Sequence, residues 1–369
     1  MNITEREQEI VSLLRRDPLI SSAAIAEALG TTRAAVNVHL SNLTRKGVVL
    51  GRGYVLSEGP SVVVVGGANM DVKARSTRAA VVATSNPGAA SMAAGGVGRN
   101  IAENLARLGT RTHLVASIGS DALGDQVLAA TSNAGVVVEH VRRSARSTGT
   151  YTAVLDADGE LVVAVADMAA TDELSTDQVA AARDLLAAAS LVVLDGNLAT
   201  GTLRYALDLA AEVGTRVLLD PVSVPKAAAL APLVSVDRPV FTVTPNRDEL
   251  AALTDLPTRT RRQQEAAAQA LHDRGVQLVW VRLGPAGSLL SSPAGVVALD
   301  AVTPDVAGEV IDVTGAGDAM TAAFCHALLT GSDPAEAAAY GHAAAALTVA
   351  STDTVRPDLT DRLVRSLLS

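Results

Sequence analysis

The chain has 369 residues, of which 49% are hydrophobic but only 2% aromatic, and carries a net charge of −9. Its one cysteine, Cys325, excludes an intramolecular disulfide and suits a reducing compartment. No apolar run approaches membrane-spanning length, and the opening MNITEREQEI lacks the basic-then-apolar layout of a secretory signal. A cytoplasmic protein with no membrane partner is expected.

Charge divides the chain unevenly. Residues 1–56 hold seven Lys/Arg against five acids, and the remainder holds 23 against 34. Thr4-Glu5-Arg6-Glu7 is a capping-box pattern ahead of the stripe Ile10, Leu13, Leu14, which stops at Asp17-Pro18. A second helix is expected over about residues 22–29, closed by Gly30. A third starts after Thr31-Thr32 and carries Val36, Leu40 and Leu43 up to Lys46-Gly47. VVLGRGYVL then reads as two short strands around Gly51-Arg52-Gly53. Three helices and a hairpin in this order resemble a winged helix-turn-helix over residues 3–56, and a separate domain is expected over 1–57. In such a module the third helix enters the major groove. Thr32, Arg33, Asn37 and Ser41 would then face base edges, with Arg45 and Arg52 on phosphates, so DNA is an expected partner of residues 1–56. The small basic surplus argues against strong binding, because phosphate contacts supply most affinity. A helical cap that packs on the body or joins two copies is the competing reading.

After the hinge Ser57-Glu58-Gly59-Pro60 the pattern changes, and the second domain is expected over 61–369. Short apolar strands (SVVVVGG, HLVASIG, SLVVLDG, RVLLDPV, VFTVTPN, LVWVRLG) alternate with longer helical segments such as IAENLARLG and TLRYALDLAAEVG. This indicates an α/β fold with a largely parallel sheet covered by helices on both faces. One stretch breaks the rhythm: TGTYTAVLDADGELVVAVAD alternates about Asp156-Ala157-Asp158-Gly159 as a hairpin. With the extended segment of about 72–93, residues 147–167 are expected to form a small β lid.

Ligands of open parallel sheets bind beyond the strands' carboxyl ends. The residues just past each strand here are polar or glycine: Asn69 and Asp71, Asp195 and Asn197, Asp220, then Asn246 to Glu249, then Gly284 and Gly287. Neither GxxxxGK[ST] nor GxGxxG is present. Instead, DVTGAGDA offers an anion hole. Gly315, Ala316 and Gly317 let backbone N–H groups converge where the next helix aims its positive end. Asp318 cannot itself ligate a phosphate, but it suits a general base that deprotonates an attacking hydroxyl. A second glycine run, AGGVGRNIA, places Asn100 in a first helical turn, within reach of a sugar hydroxyl. Either stretch alone could be only a helix start.

Together, GGVGRN with ARLG and then DVTGAGD resemble the two signature regions of the ribokinase/PfkB family of carbohydrate and nucleoside kinases. The resemblance covers residues 61 to about 360 and includes ANMD, NRDE and RLGPAG. It implies a ribokinase-like three-layer sandwich with a mostly parallel central sheet and a β lid, acting with ATP and Mg²⁺. Carried over by motif, Asp318 is the base and Gly315, Ala316 and Gly317 form the anion hole. Asn69, Asp71, Gly95, Gly96 and Asn100 hold sugar hydroxyls. Asn246 and Glu249 organise Mg²⁺ and phosphate through water, while Arg282, Gly284 and Gly287 border the nucleotide. Arg282 departs from the Thr or Lys often found there. Some members bind K⁺, and Asp312 and Thr314, with carbonyls near Ala350 and Asp353, fall where that cation would lie. The closing STDTVRP departs from the usual small-residue pattern.

The lid stretch, LDGNL and LDPVSVPKA resemble the pseudouridine kinase branch. That implies phosphorylation of a nucleoside 5′-hydroxyl, with pseudouridine as substrate. The base would lie under the lid near Thr150, Thr152 and Asp195 to Asn197, and Tyr151 reads as a strand residue packing the lid. Other acceptors remain open: inosine, guanosine, adenosine or ribose. So does a transcription regulator that uses the kinase body as a ligand sensor. Relatives imply a homodimer, through the lid or the head.

Overall fold

The computed structural model describes residues 3–50, 59–302 and 308–368. The chain forms two units, Met1–Gly59 and Pro60–Ser369. The first holds helices Glu5–Arg16, Ser22–Ala28 and Arg33–Arg45, capped by the side chains of Thr4, Ser21 and Thr32. Ile10, Leu14, Ile25, Val36, Leu40 and Leu43 close a core of their own. Arg33, Asn37 and Ser41 are exposed at successive i, i+4 positions of the third helix. Thr32 is exposed as well, but its hydroxyl accepts from Ala35 N as the helix cap. The expected wing hairpin, with Arg52, lies largely outside the described residues.

Among the described residues, the second unit has thirteen strands: β1 (Ser61–Val65), β2 (Asn69–Ser76), β3 (Gly88–Gly95), β4 (Arg111–Gly119), β5 (Val141–Ser144), β6 (Thr150–Leu155), β7 (Leu161–Asp167), β8 (Leu191–Asp195), β9 (Val217–Asp220), β10 (Val240–Val243), β11 (Val276–Arg282), β12 (Ser288–Ser292) and β13 (Gly295–Leu299). Nine form the main sheet in the order β13-β12-β11-β10-β9-β8-β1-β4-β5. Seven of these run parallel, from β11 to β5, and β12 and β13 add an antiparallel edge.

The apolar runs read as strands because both their faces are buried. Along β1, Val62 and Val64 enter one core cluster and Val63 and Val65 the other, which makes the three-layer sandwich. In the first of these cores Trp280 stacks on Phe324, with centroids 4.8 Å apart. The lid is a four-stranded sheet, β3-β2-β6-β7. The extended segment at 72–93 folds as two antiparallel strands, and β2 pairs in parallel with β6.

The chain runs from β1 outward to β4 and β5, then returns on the other side with β8 to β11. Strand order therefore reverses at β1, and the crevice at that switch point is where an open α/β sheet binds ligands. The polar strand-end residues stand at that edge, with the lid above them.

Candidate active site

Two cavities adjoin there. The first has a volume of about 290 Å³ and is lined by Asn69, Asp71, Gly96, Asn100, Tyr151 and Asn197, among others. The second, about 340 Å³, is lined by Asp220, Asn246, Arg282, Gly284, Gly287 and Gly317, among others. Asp318 lines both, and among the described residues it is the one acid that does so.

Asp318 stands in the first turn of helix Ala316–Leu329, whose N-cap Gly315 has φ 80°. A Cβ on Gly315 would overlap the Thr354 carbonyl, so the turn requires glycine on both counts. Ala316 and Gly317 complete the positive helix end against the second cavity. Asn100 Nδ2 donates to Asp318 Oδ2 at 2.8 Å. Burial pushes the Asp318 carboxyl up to about 8. The Asn100 hydrogen bond and the Arg282 charge oppose that rise, while the charges of Asp220 and Asp195 add to it.

On the first cavity's wall, Asn69 Nδ2 donates to Asp71 Oδ1 at 2.7 Å, and burial raises the Asp71 carboxyl. Gly95 does not line the cavity. It clears room for the Asp71 carboxylate, which a Cβ there would overlap. Thr150 does not line the cavity either; its neighbour Tyr151 does. The reason is the strand period: Tyr151 is in register with Asp71 and Thr150 with Met70, so Tyr151 shares the Asp71 face. Asp195 is fully buried and accepts from Gly67 N and Asn197 N, both at 2.9 Å, which ties the ends of β8 and β1 together. Asn197 faces the cavity in its place, its Oδ1 held by Lys226 Nζ. Burial lowers the Lys226 ammonium, and the charges of Asp195 and Asp172 oppose this.

Around the second cavity, Asn246 caps helix Arg247–Thr254, and Glu249 returns the bond to Asn246 N at 2.8 Å. Glu249 is buried behind the wall, and burial raises its carboxyl. Arg282 at the end of β11 links this cap to Asp220: Nη1 lies 3.3 Å from Asp220 Oδ2 and Nη2 3.6 Å from Glu249 Oε2. In the sequence Asp220 stood out only as a residue at a strand end. It also accepts from the Thr244 and Thr321 hydroxyls at 3.1 and 3.2 Å. A buried strand that ends in an acid was the signal for it.

Asp312 and Thr314 do not present an open cation site. Lys73 Nζ, from lid strand β2, meets Asp312 Oδ2 at 2.7 Å, and Thr314 N and Oγ1 donate to Oδ1 at 2.8 and 2.6 Å. Burial resists ionisation of Asp312, but the Lys73 and Thr314 bonds outweigh it and hold the carboxyl below the usual range. Among the described residues no cluster of three or more His, Cys, Asp or Glu is placed to hold a metal.

Two ligand spaces meeting at one carboxylate suit a group transfer between two bound molecules. The class is a phosphotransferase with an alcohol group as acceptor. The chain belongs to the pfkB family of carbohydrate kinases, whose model matches residues 60–361, and a winged helix-turn-helix DNA-binding model matches residues 3–49. It is similar to the uncharacterized sugar kinase YeiI of Escherichia coli (35% identical over 97% of each chain). It is also similar to the pseudouridine kinase of that organism, 32% identical over 83% of this chain and 96% of the other. Among solved structures, Arabidopsis thaliana ribokinase complexed with ribose and ATP matches with a TM-score of 0.72. That match has 27% identity over 84% of this chain and 99% of that one.

Proposed function

We propose that the chain transfers the γ-phosphoryl group of ATP to the 5′-hydroxyl of a nucleoside, with pseudouridine the first candidate. The observation that carries the reading is the position of Asp318 between the two cavities. The nucleoside occupies the first, its ribose hydroxyls on Asn69, Asp71 and Asn100 and its base under the lid beside Tyr151 and Asn197. ATP occupies the second, along Asn246, Arg282, Gly284 and Gly287.

Asp318 takes the proton of the attacking hydroxyl, and the N–H groups of the Gly315-Ala316-Gly317 turn stabilise charge on the transferred group. Arg282 adds positive charge on the same side. The oxygen donors Asp220, Asn246 and Glu249 are of the hard type Mg²⁺ prefers. They are already hydrogen-bonded, which fits an ion reached through its waters. Bound on the phosphates, Mg²⁺ supplies charge neutralisation there.

Similarity to the pseudouridine kinases of Escherichia coli and Arabidopsis thaliana supports the nucleoside. The likeness to a sugar kinase at 35% identity favours a second reading, a sugar acceptor with no base. An ADP-release assay over pseudouridine, uridine, inosine, guanosine, adenosine and ribose separates them. Pseudouridine should give the highest kcat/KM, and turnover of ribose alone would overturn the nucleoside reading. Turnover of none, with DNA binding that responds to nucleoside, would make the chain a sensor. The intact Asp318 and Asn100 pair speaks against that outcome.

We further read the head as a DNA contact through Arg33, Asn37 and Ser41, the chain as a homodimer, and its compartment as the cytoplasm, where ATP is available. Among the described residues no helix is long and apolar enough to cross a membrane.

A further inference from the structure

We propose that Arg99 is a positioning residue for the transfer: its guanidinium locks the Asn100 carboxamide in the one orientation that donates to Asp318. The inference rests on the reading of Asp318 as the base.

Arg99 is only 3% exposed, on the first turns of helix Val97–Arg107. A buried guanidinium is costly unless its donors are met, and here all three nitrogens donate. Nε donates to Thr131 Oγ1 at 3.0 Å. Nη1 donates to Ala94 O at 2.8 Å and to Asn100 Oδ1 at 3.2 Å, and Nη2 pairs with Glu103. Glu103 is held a second time by Arg107 Nε at 2.9 Å.

Donor and acceptor chemistry sets the consequence for Asn100. A guanidinium only donates and an ionised carboxylate only accepts. The amide atom facing Arg99 must be the oxygen, so the atom facing Asp318 is the NH₂. When Asp318 is protonated its hydroxyl would favour the amide oxygen, and Arg99 already occupies that oxygen. Arg99 thereby disfavours the protonated base, against the burial that favours it. The charged groups acting on Asp318 are Asp220, Arg282 and Asp195, and none of them contacts Arg99. Arg99 acts through Asn100, and its charge also acts on Asp71.

Without the lock, Asn100 is free to turn over and accept from protonated Asp318. The test is kcat/KM for ATP against pH at saturating nucleoside, in wild type, Arg99→Met and Arg99→Lys. Arg99→Met leaves Glu103 paired with Arg107. Arg99→Lys keeps the positive charge near Asp71 but loses the fork that reaches Asn100.

Both variants should move the acidic limb upward by about one pH unit, which is about a tenfold loss on the limb, with recovery on the alkaline plateau. A loss equal at every pH would make Arg99 merely structural and overturn the proposal. A shift in Arg99→Met alone would assign the effect to charge on Asp71 and overturn it equally. If Arg99→Met does not fold, the Lys variant decides by the same criterion. Asp318→Asn is measured alongside. Its inactivity together with unshifted Arg99 variants sinks only this inference, whereas a wild-type rate in Asp318→Asn sinks the base reading itself.

Discussion

Ionising Asp318 in the fold costs free energy, and the cost has a sign. Its folded-state value of about 8 lies far above the ordinary carboxyl range, so the folded chain binds the proton more tightly than the unfolded one. The stability this lends is fully present below the ordinary Asp value and is lost as pH rises through about 8. A neutral amide removes that pH dependence. Asp318→Asn should therefore melt above wild type at pH 9, by about 1–2 °C for each kcal/mol relieved in a unit of this size, which differential scanning calorimetry at pH 5 and pH 9 will read. Activity runs the other way. A base works only when ionised, so kcat/KM of the free enzyme should climb with pH up to about 8 and then level. Asp318→Asn should lose about 10²–10⁴-fold in kcat while its nucleoside Kd, measured by calorimetry, stays close to wild type. A flat pH profile, or a variant that keeps its rate, would remove the base from Asp318. The same residue would then be both the destabilised point of the fold and idle in the chemistry.

Between elements, the bond from Lys73 on β2 to Asp312 joins the lid to the loop that leads into the anion-hole turn. Its ammonium supplies positive charge at the carboxylate where a monovalent cation was expected. Replacing K⁺ with tetramethylammonium should accordingly leave the wild-type kcat unchanged. Lys73→Met should lower kcat and acquire a K⁺ response, and strong activation of the wild type by K⁺ would show that the pair opens in solution. This bond could not be read from the sequence, and the reason is general to the site. Asn69, Asp71, Asn100 and Asp318 were legible because each stands at a strand end or a glycine-rich helix start, where a few neighbouring residues fix its place. The Lys73–Asp312 pair spans 239 positions and Arg282–Asp220 spans 62, and no local pattern encodes either. Thr150 and Thr152 are expected near the base, yet Tyr151 between them lines the cavity: alternation announces a strand without saying which parity faces inward, and a one-residue ambiguity inverts the faces. Six of the seven parallel strands were plain from their apolar runs, whereas β5, Val-Arg-Arg-Ser, has none. The edge pair β12–β13, with its serines and exposed residues, carries no such run.

At the scale of the whole molecule, the lid leaves one edge strand apolar and uncovered. On β7, Val163 and Val165 share one face and are 51% and 64% exposed; past the register shift at Val162, itself 41% exposed, Leu161 pairs with Leu155 on the other face and is 57% exposed. An edge strand that presents apolar side chains on both faces and unpaired backbone groups along its length invites pairing. In the homodimer proposed above, a second copy of the same lid would satisfy both through one two-fold contact. A dimer also gives the head what its charge cannot. Residues 1–56 carry a surplus of only two positive charges, so a single head on DNA would make few phosphate contacts and bind weakly. Two heads on one duplex raise the effective concentration of the second contact. The double variant Val163→Glu, Val165→Glu should therefore run as a monomer by light scattering and lose about 10²-fold or more in DNA affinity, with its head sequence untouched. Arg33→Ala should keep the dimer, weaken DNA binding and reduce the slope of log K against log salt by about 1 per head if Arg33 meets a phosphate. At a base edge it should instead relax sequence preference with little change of slope. A lid variant that stays dimeric moves the interface elsewhere. A monomer that binds DNA as tightly as wild type uncouples the two units and leaves the head to act alone.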